Sequence, residues 1–119
     1  MKVKFRNSRG SKVWIAVMFY SPSTCGSHGN WGTKGWWGVN PGATVYPFNT
    51  TNRYACFYGE GEDGALWTGP YGPMYVYPNA FDSCINIGST AAYDVVGLSL
   101  IDLGSGAWDP FATYTVNLV

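Results

Sequence analysis

Glycine and proline recur so often along this chain that no apolar stretch runs more than about ten residues without interruption. Sixteen glycines and seven prolines in 119 residues exclude long helices. Glycine forfeits backbone entropy in a helix, and proline lacks the N–H and clashes with the preceding turn. The same interruptions exclude a transmembrane helix, which needs about 20 predominantly apolar residues in a row. What remains is a series of short strands joined by tight turns. Charged residues make up only 12% of the chain, against a usual share of about 25%, so the chain is too apolar to stay disordered. One domain over residues 1–119 is expected, burying roughly two-thirds of the surface its unfolded chain exposes.

Lys2 to Asn7 and Lys12 to Ser21 read as strand-like runs, with Ser8-Arg9-Gly10-Ser11 predicted as a hairpin turn between them. The run Val13-Trp14-Ile15-Ala16-Val17-Met18-Phe19-Tyr20 is apolar at odd and even positions alike, the pattern of a strand covered on both faces. Residues 21–35 are small, polar and Gly-rich, and read as a long loop carrying Trp31. Trp36 and Trp37 follow on a strand and point to opposite faces, one expected in the core and the other at the surface. Asn40-Pro41-Gly42 matches a type II turn. Ala43 to Phe48 and Arg53 to Glu60 predict a second hairpin. Met74 to Tyr77, Phe81 to Ile87, Val95 to Leu103 and Ala112 to Leu118 supply four more strands, and Ser89 to Asp94 one helical turn. This spacing predicts an all-β fold, a two-sheet antiparallel β-sandwich of about eight or nine short strands. Its expected core is Trp14, Ile15, Val17, Phe19, Val45, Tyr54, Phe57, Val76, Ile85, Val96, Leu98, Leu100 and Val116.

Charge is segregated along the chain: all seven Lys and Arg precede residue 54, and all seven Asp and Glu follow it. Pairing of N-terminal with C-terminal strands would neutralise this dipole internally. Otherwise Lys2, Lys4 and Arg6 of one copy would meet Glu60, Glu62 and Asp63 of the next in a homo-oligomer. Nucleic acid is disfavoured as a partner, because no wide basic face accompanies the N-terminal cations. The alternation of charge from Met1 to Asn7 reads as a strand and not a signal peptide. A cytoplasmic protein, one whose leader has been removed, or one exported by a leaderless route is expected. Cys25, Cys56 and Cys84 fit neither a disulfide scaffold nor a CxxC metal site, and predict mostly buried thiols, with one disulfide as the alternative.

No catalytic or cofactor pattern stands out. Gly59-Glu60-Gly61-Glu62-Asp63-Gly64 matches GxGxxG in letters, but three acids stand where a phosphate would sit and no helix follows. A hairpin tip at Asp63-Gly64 is the better reading, and the acids lack the spacing of a calcium loop. His28, the single histidine, lies three residues after Cys25 in a Gly/Ser segment that offers a nucleophile pair no rigid support. No cofactor, metal or enzymatic activity is expected.

Six tryptophans, nine tyrosines and six phenylalanines exceed what so small a core takes in. Surface aromatics serve for stacking on sugars, for protein interfaces or for the membrane headgroup layer. The candidates in turn-rich segments are Trp31, Trp36, Trp37, Trp67, Tyr71 and Trp108. The leading expectation is a non-catalytic binding domain with a glycan as ligand, or failing that a protein. A self-assembling protein and a membrane-surface module are the alternatives.

Asn7, Val13-Trp14-Ile15-Ala16, the run from Trp31 through Trp36-Trp37 to Pro41-Gly42, Asn52-Arg53-Tyr54, Tyr58-Gly59-Glu60 and Trp67-Thr68-Gly69 form a further pattern. In these residues the chain resembles a bacterial family of uncharacterised small domains, with an early asparagine, a Gly-Trp-Trp before a Pro-Gly turn, and an Arg-Tyr strand leading to an acidic turn. The resemblance covers roughly residues 3–87 and departs at Met74-Tyr75-Val76, where the family has Phe-Cys-Val. It implies a β-rich bacterial domain and no assigned activity.

Overall fold

The computed structural model describes residues 1–86 and 94–119. In chain order the described strands are β1 Lys2–Asn7, β2 Val13–Tyr20, β3 Trp31–Val39, β4 Thr44–Asn49, β5 Tyr54–Gly61, β6 Leu66–Trp67, β7 Tyr71–Val76, β8 Phe81–Cys84, β9 Asp94–Asp102 and β10 Thr113–Leu118. A single helical turn, α1 Pro22–Cys25, follows β2. The fold is all-β with two sheets packed together, ordered β10-β1-β4 and β7-β9-β5-β2-β3-β8, with β6 paired to β5. Pairing is antiparallel except between β1 and β10, which run parallel. The helical turn expected from Ser89 to Asp94 and the strand end expected at Ile87 fall outside the described residues, apart from Asp94, which opens β9.

Both expected hairpins are instead links that cross between the sheets. Strands β1 and β4 belong to the small sheet and β2 and β5 to the large one. Short polar links such as Ser8 to Ser11 suit either arrangement; the apolar faces decide. Val3, Phe5 and Phe48 from the small sheet meet Val13, Ile15, Val17 and Phe57 from the large one in a single buried cluster. The expected long loop is also shorter, because β3 begins at Trp31 and pairs along its length with β2.

Asn7 holds one of these crossings. It is fully buried, and its Nδ2 donates to the carbonyls of Ser11 and Val39, both at 2.8 Å. Its Oδ1 accepts from the Arg9 N–H at 2.8 Å. One amide thereby joins the β1–β2 link to the end of β3. A buried polar group stays favourable only while its partners are met.

The large sheet must curl. In a flat sheet the two ends of this order, β7 and β8, would lie roughly 24 Å apart across five inter-strand steps. Only residues 77–80 join Val76 to Phe81, and that link spans at most about 18 Å. The sheet therefore wraps round, enclosing a second cluster of Ala16, Met18, Cys56, Tyr58, Met74, Val76, Val96 and Leu98 on its concave face. Trp36 Nε1 donates to the Tyr77 carbonyl at 2.7 Å and ties the closing link to β3.

Two cores explain which expected core residues are covered. Ile15, Val17, Phe57, Val76, Val96 and Leu98 are buried. Phe19, Val45, Ile85 and Val116 are partly so. Trp14, Tyr54 and Leu100 are exposed, contrary to expectation, because they sit towards the open ends of the concave face.

The cysteines are buried as expected, but the leading expectation of thiols gives way to its alternative of one disulfide. Cys25 and Cys84 form a disulfide across 59 residues of sequence, and Cys56 is the free, buried thiol. Pairing of β8 with β3 sets Cys84 opposite Gly32, beside α1, a neighbourhood that spacing alone does not reveal.

Two stability predictions follow from this architecture. Asn7→Ala strands two carbonyls and one N–H, and should lower the unfolding free energy by about 2–4 kcal/mol in urea titration. Asn7→Asp should not restore it, since a carboxylate repels the Ser11 and Val39 carbonyls. Replacing Cys25 and Cys84 together by serine should cost about 4 kcal/mol on the chain-entropy estimate for a loop of this length. A denaturation midpoint unmoved by the double replacement would show that the cross-link leaves the unfolded ensemble unaffected.

Candidate functional site

The concave face of the large sheet is filled at its middle and open at both ends. Register places Trp14 opposite Glu60, Ala16 opposite Tyr58, and Met18 opposite Cys56, so three successive rows run along the trough. The middle row is closed over by Met74 and Val76, both fully buried. Each flanking row opens into a cleft.

The first cleft, of about 580 Å³, is lined by Trp14, Trp36, Glu60, Tyr77, Pro78 and Ala80. Its size lies within the range of small-ligand sites, about 300–1,000 Å³. Trp14 comes from β2 and lies over Gly38 of β3, where an added Cβ would stand 2.9 Å from the indole. The ring is held on two sides: its Nε1 donates to Glu62 at 3.2 Å, and the Lys12 ammonium sits 4.3 Å from its centre. Trp36 packs edge-on against Tyr58 and Phe81. The Glu60 carboxylate accepts from the Tyr58 hydroxyl at 2.6 Å. Aromatic surfaces and one oriented acceptor therefore converge on a single space.

The second cleft, of about 410 Å³, is lined by Met18, Trp31, Tyr54, Cys56, Tyr71, Gly72, Ile85 and Leu100. Its lining holds no Asp, Glu, Lys, Arg or His. Burial pushes the Cys56 thiol up to about 11, so it stays protonated at neutral pH.

The six aromatic candidates are thus divided. Trp36 lines the first cleft, and Trp31 with Tyr71 the second. Trp37 and Trp67 instead pack against the core between the sheets. As strand alternation predicts, Trp36 and Trp37 face opposite ways, Trp37 onto the core between the sheets and Trp36 onto the second cluster, but each is partly covered, beside a one-residue irregularity in β3 opposite Ile15 and Ala16. Trp108 lies apart, in the turn before β10. Trp31 and Tyr71 stand on strands β3 and β7, where turn-rich loops were expected, and Trp36 stands on a strand as expected. Trp14, Tyr77 and Tyr54 were missed as site residues; for Trp14 and Tyr54 the two-sided apolarity of β2 and β5 was the available signal, while Tyr77 lies in the link after β7.

The acids proposed for self-association are engaged within the chain. Asp63 pairs with Arg9 at 2.6 Å, Glu62 receives Trp14, and Glu60 receives Tyr58. Arg53 pairs with Asp102 and Lys34 with Asp82, at 2.8 and 3.6 Å. Bonding from the Arg9 guanidinium, aided by the Ala65 N–H, holds the Asp63 carboxyl below the usual aspartate range. The GxGxxG letters form the tip of the β5–β6 hairpin, with Gly64 at φ +91°. Cys25, bonded to Cys84, has no thiol to pair with His28. Among the described residues no three His, Cys, Asp or Glu side chains converge as a metal site would require.

Comparison with protein-family models, with curated proteins and with solved structures finds no match in any of the three.

The thiol in the second cleft gives a direct check on that end of the trough. Alkylation of Cys56 in the native protein should be slow at neutral pH and quicken as pH rises toward 11, because only the thiolate reacts. Fast labelling at pH 7, followed by mass spectrometry, would contradict the burial described.

Proposed function

We propose that this chain is a non-catalytic binding domain that takes a glycan in the cleft between Trp14, Trp36, Tyr77 and Glu60. The observation that carries this reading is the convergence of three aromatic side chains on a carboxylate whose position is fixed by the Tyr58 hydroxyl. Sugars present apolar C–H faces and hydroxyl edges together, so they are recognised by flat aromatic surface joined to a few oriented acceptors. Trp14 is held from two sides before any ligand arrives, which reduces the ordering cost of binding. Glu60 is suited to accept from ligand hydroxyls through charge-assisted bonds. The Cys25–Cys84 bridge suits a domain that works in oxidising surroundings, where extracellular glycans are met.

Head-to-tail self-association draws less support, since Glu60, Glu62 and Asp63 already have partners within the chain.

A glycan array followed by calorimetric titration of the best hit tests the reading. Trp14→Ala and Glu60→Gln should each weaken binding roughly tenfold or more, the second through loss of a charged hydrogen bond. Trp108→Ser should leave affinity unchanged. An array without hits, or a hit indifferent to both cleft substitutions, would overturn it.

A further inference from the structure

The turn between β9 and β10 presents two large aromatic side chains to solvent. Trp108 is 70% exposed and Phe111 94%. They stand on a firmly rooted structure. Ala107 is buried in the core between the sheets, the Leu103 N–H donates to the Arg53 carbonyl at 2.7 Å, and the Lys2 N–H to the Ala112 carbonyl at 2.9 Å. Within the turn, Asp109 Oδ1 accepts from the Phe111 N–H at 2.8 Å, and the Asp109 N–H donates to Gly106 at 3.1 Å. The one acid at this tip thus has a carboxylate oxygen engaged by its own backbone.

The outer face of the small sheet begins beside this tip. Lys2 pairs in register with Thr113, Lys4 with Thr115 and Arg6 with Asn117, all with side chains directed away from the core that Val3 and Phe5 enter. The neighbouring outward positions on β4 are Thr44, Tyr46 and Asn49. Three cations therefore line one face with no acid among them. None has a carboxylate partner among the described residues, where the ion pairs are those of Arg9, Lys34 and Arg53. Lys2 instead stands 5.3 Å above the exposed Tyr46 ring.

We infer that this edge of the molecule docks on an anionic bilayer surface, with Trp108 and Phe111 entering the interfacial layer and Lys2, Lys4 and Arg6 facing the lipid headgroups. Aromatic rings partition to the boundary between headgroups and acyl chains. Basic residues add attraction to anionic lipid, and stable attachment takes both signals together. A second copy of the chain fits this face less well, because its complementary acids are already bonded internally. Nucleic acid would be met by a groove that tracks the backbone with aromatics along it; here the aromatics project beyond one end of the cationic row. The surface is distinct from the concave face, so both can be occupied at once.

Flotation of the full chain with phosphatidylcholine vesicles, with and without phosphatidylserine, tests the inference. Binding is expected only with phosphatidylserine, weakening as salt is raised. Replacing Lys2, Lys4 and Arg6 together by glutamine should reduce partitioning about a hundredfold, at about fivefold per cation. The double variant Trp108→Ser, Phe111→Ser should reduce it at least tenfold. Since all five side chains are directed outward, melting temperatures should be nearly unchanged, which separates lost docking from lost folding. Brominated lipid should quench part of the tryptophan fluorescence, and Trp108→Phe should keep binding while losing that quenching. Three results would each overturn the inference. The first is no flotation with phosphatidylserine, and the second is flotation indifferent to the aromatic double variant. The third is an assembly seen by light scattering without lipid that the same substitutions dissolve, which would assign the face to a second copy.

Discussion

The fold depends on one requirement: strands β2 and β5 must be shielded from water on both faces. Val13, Ile15 and Val17 alternate with Ala16 and Met18, and Ala55 and Phe57 alternate with Cys56 and Tyr58, all buried. One apolar face is met by the three-stranded sheet. For the other there is no third layer, and the described chain has only a four-residue helix to offer. The large sheet resolves this by becoming its own cover, bringing β7 and the link to β8 over the face that β2 and β5 leave open.

Self-covering has a geometric limit, and the candidate site lies where that limit is reached. Met74 and Val76 close the middle of the trough but do not reach its ends. There the side chains on the same face become partly exposed, and they are mostly aromatic. Trp14 and Tyr54 thus belong to the same apolar strand faces as Ala16 and Cys56, yet remain accessible. A core that stops short produces an apolar cleft without any residue having left its strand.

The all-β class was legible because glycine and proline punctuation and two-sided apolarity are local signals. The turn at Asn40-Pro41-Gly42 was equally local, and the Ala43 N–H closes it onto the Asn40 carbonyl at 2.9 Å. What spacing did not disclose was which sheet a strand joins. Ser8 to Ser11 serves a hairpin or a crossing with the same residues; the apolar faces of distant strands decide, and Asn7 holds the crossing by reaching Val39 across 32 positions. The disulfide is another long-range product, created when β8 settles beside β3. Tryptophans were correctly sensed as too many for one core. Alternation already set Trp36 and Trp37 on opposite faces; which face becomes cleft and which core required the curl, which leaves no periodic trace.

The curl also bears on which strand edges the large sheet leaves open. Open sheets present unpaired N–H and C=O groups at their outer strands, and these recruit further strands from other chains. In the large sheet the two outer strands, β7 and β8, are turned towards each other and bridged by residues 77–80, with Trp36 bonded to that bridge. The arrangement that hides an apolar face thereby turns both outer strands of the large sheet towards each other instead of leaving them as two opposite straight edges. In a chain this poor in charge, a large sheet turned back on itself has less need of the lysines by which other β proteins guard open edges.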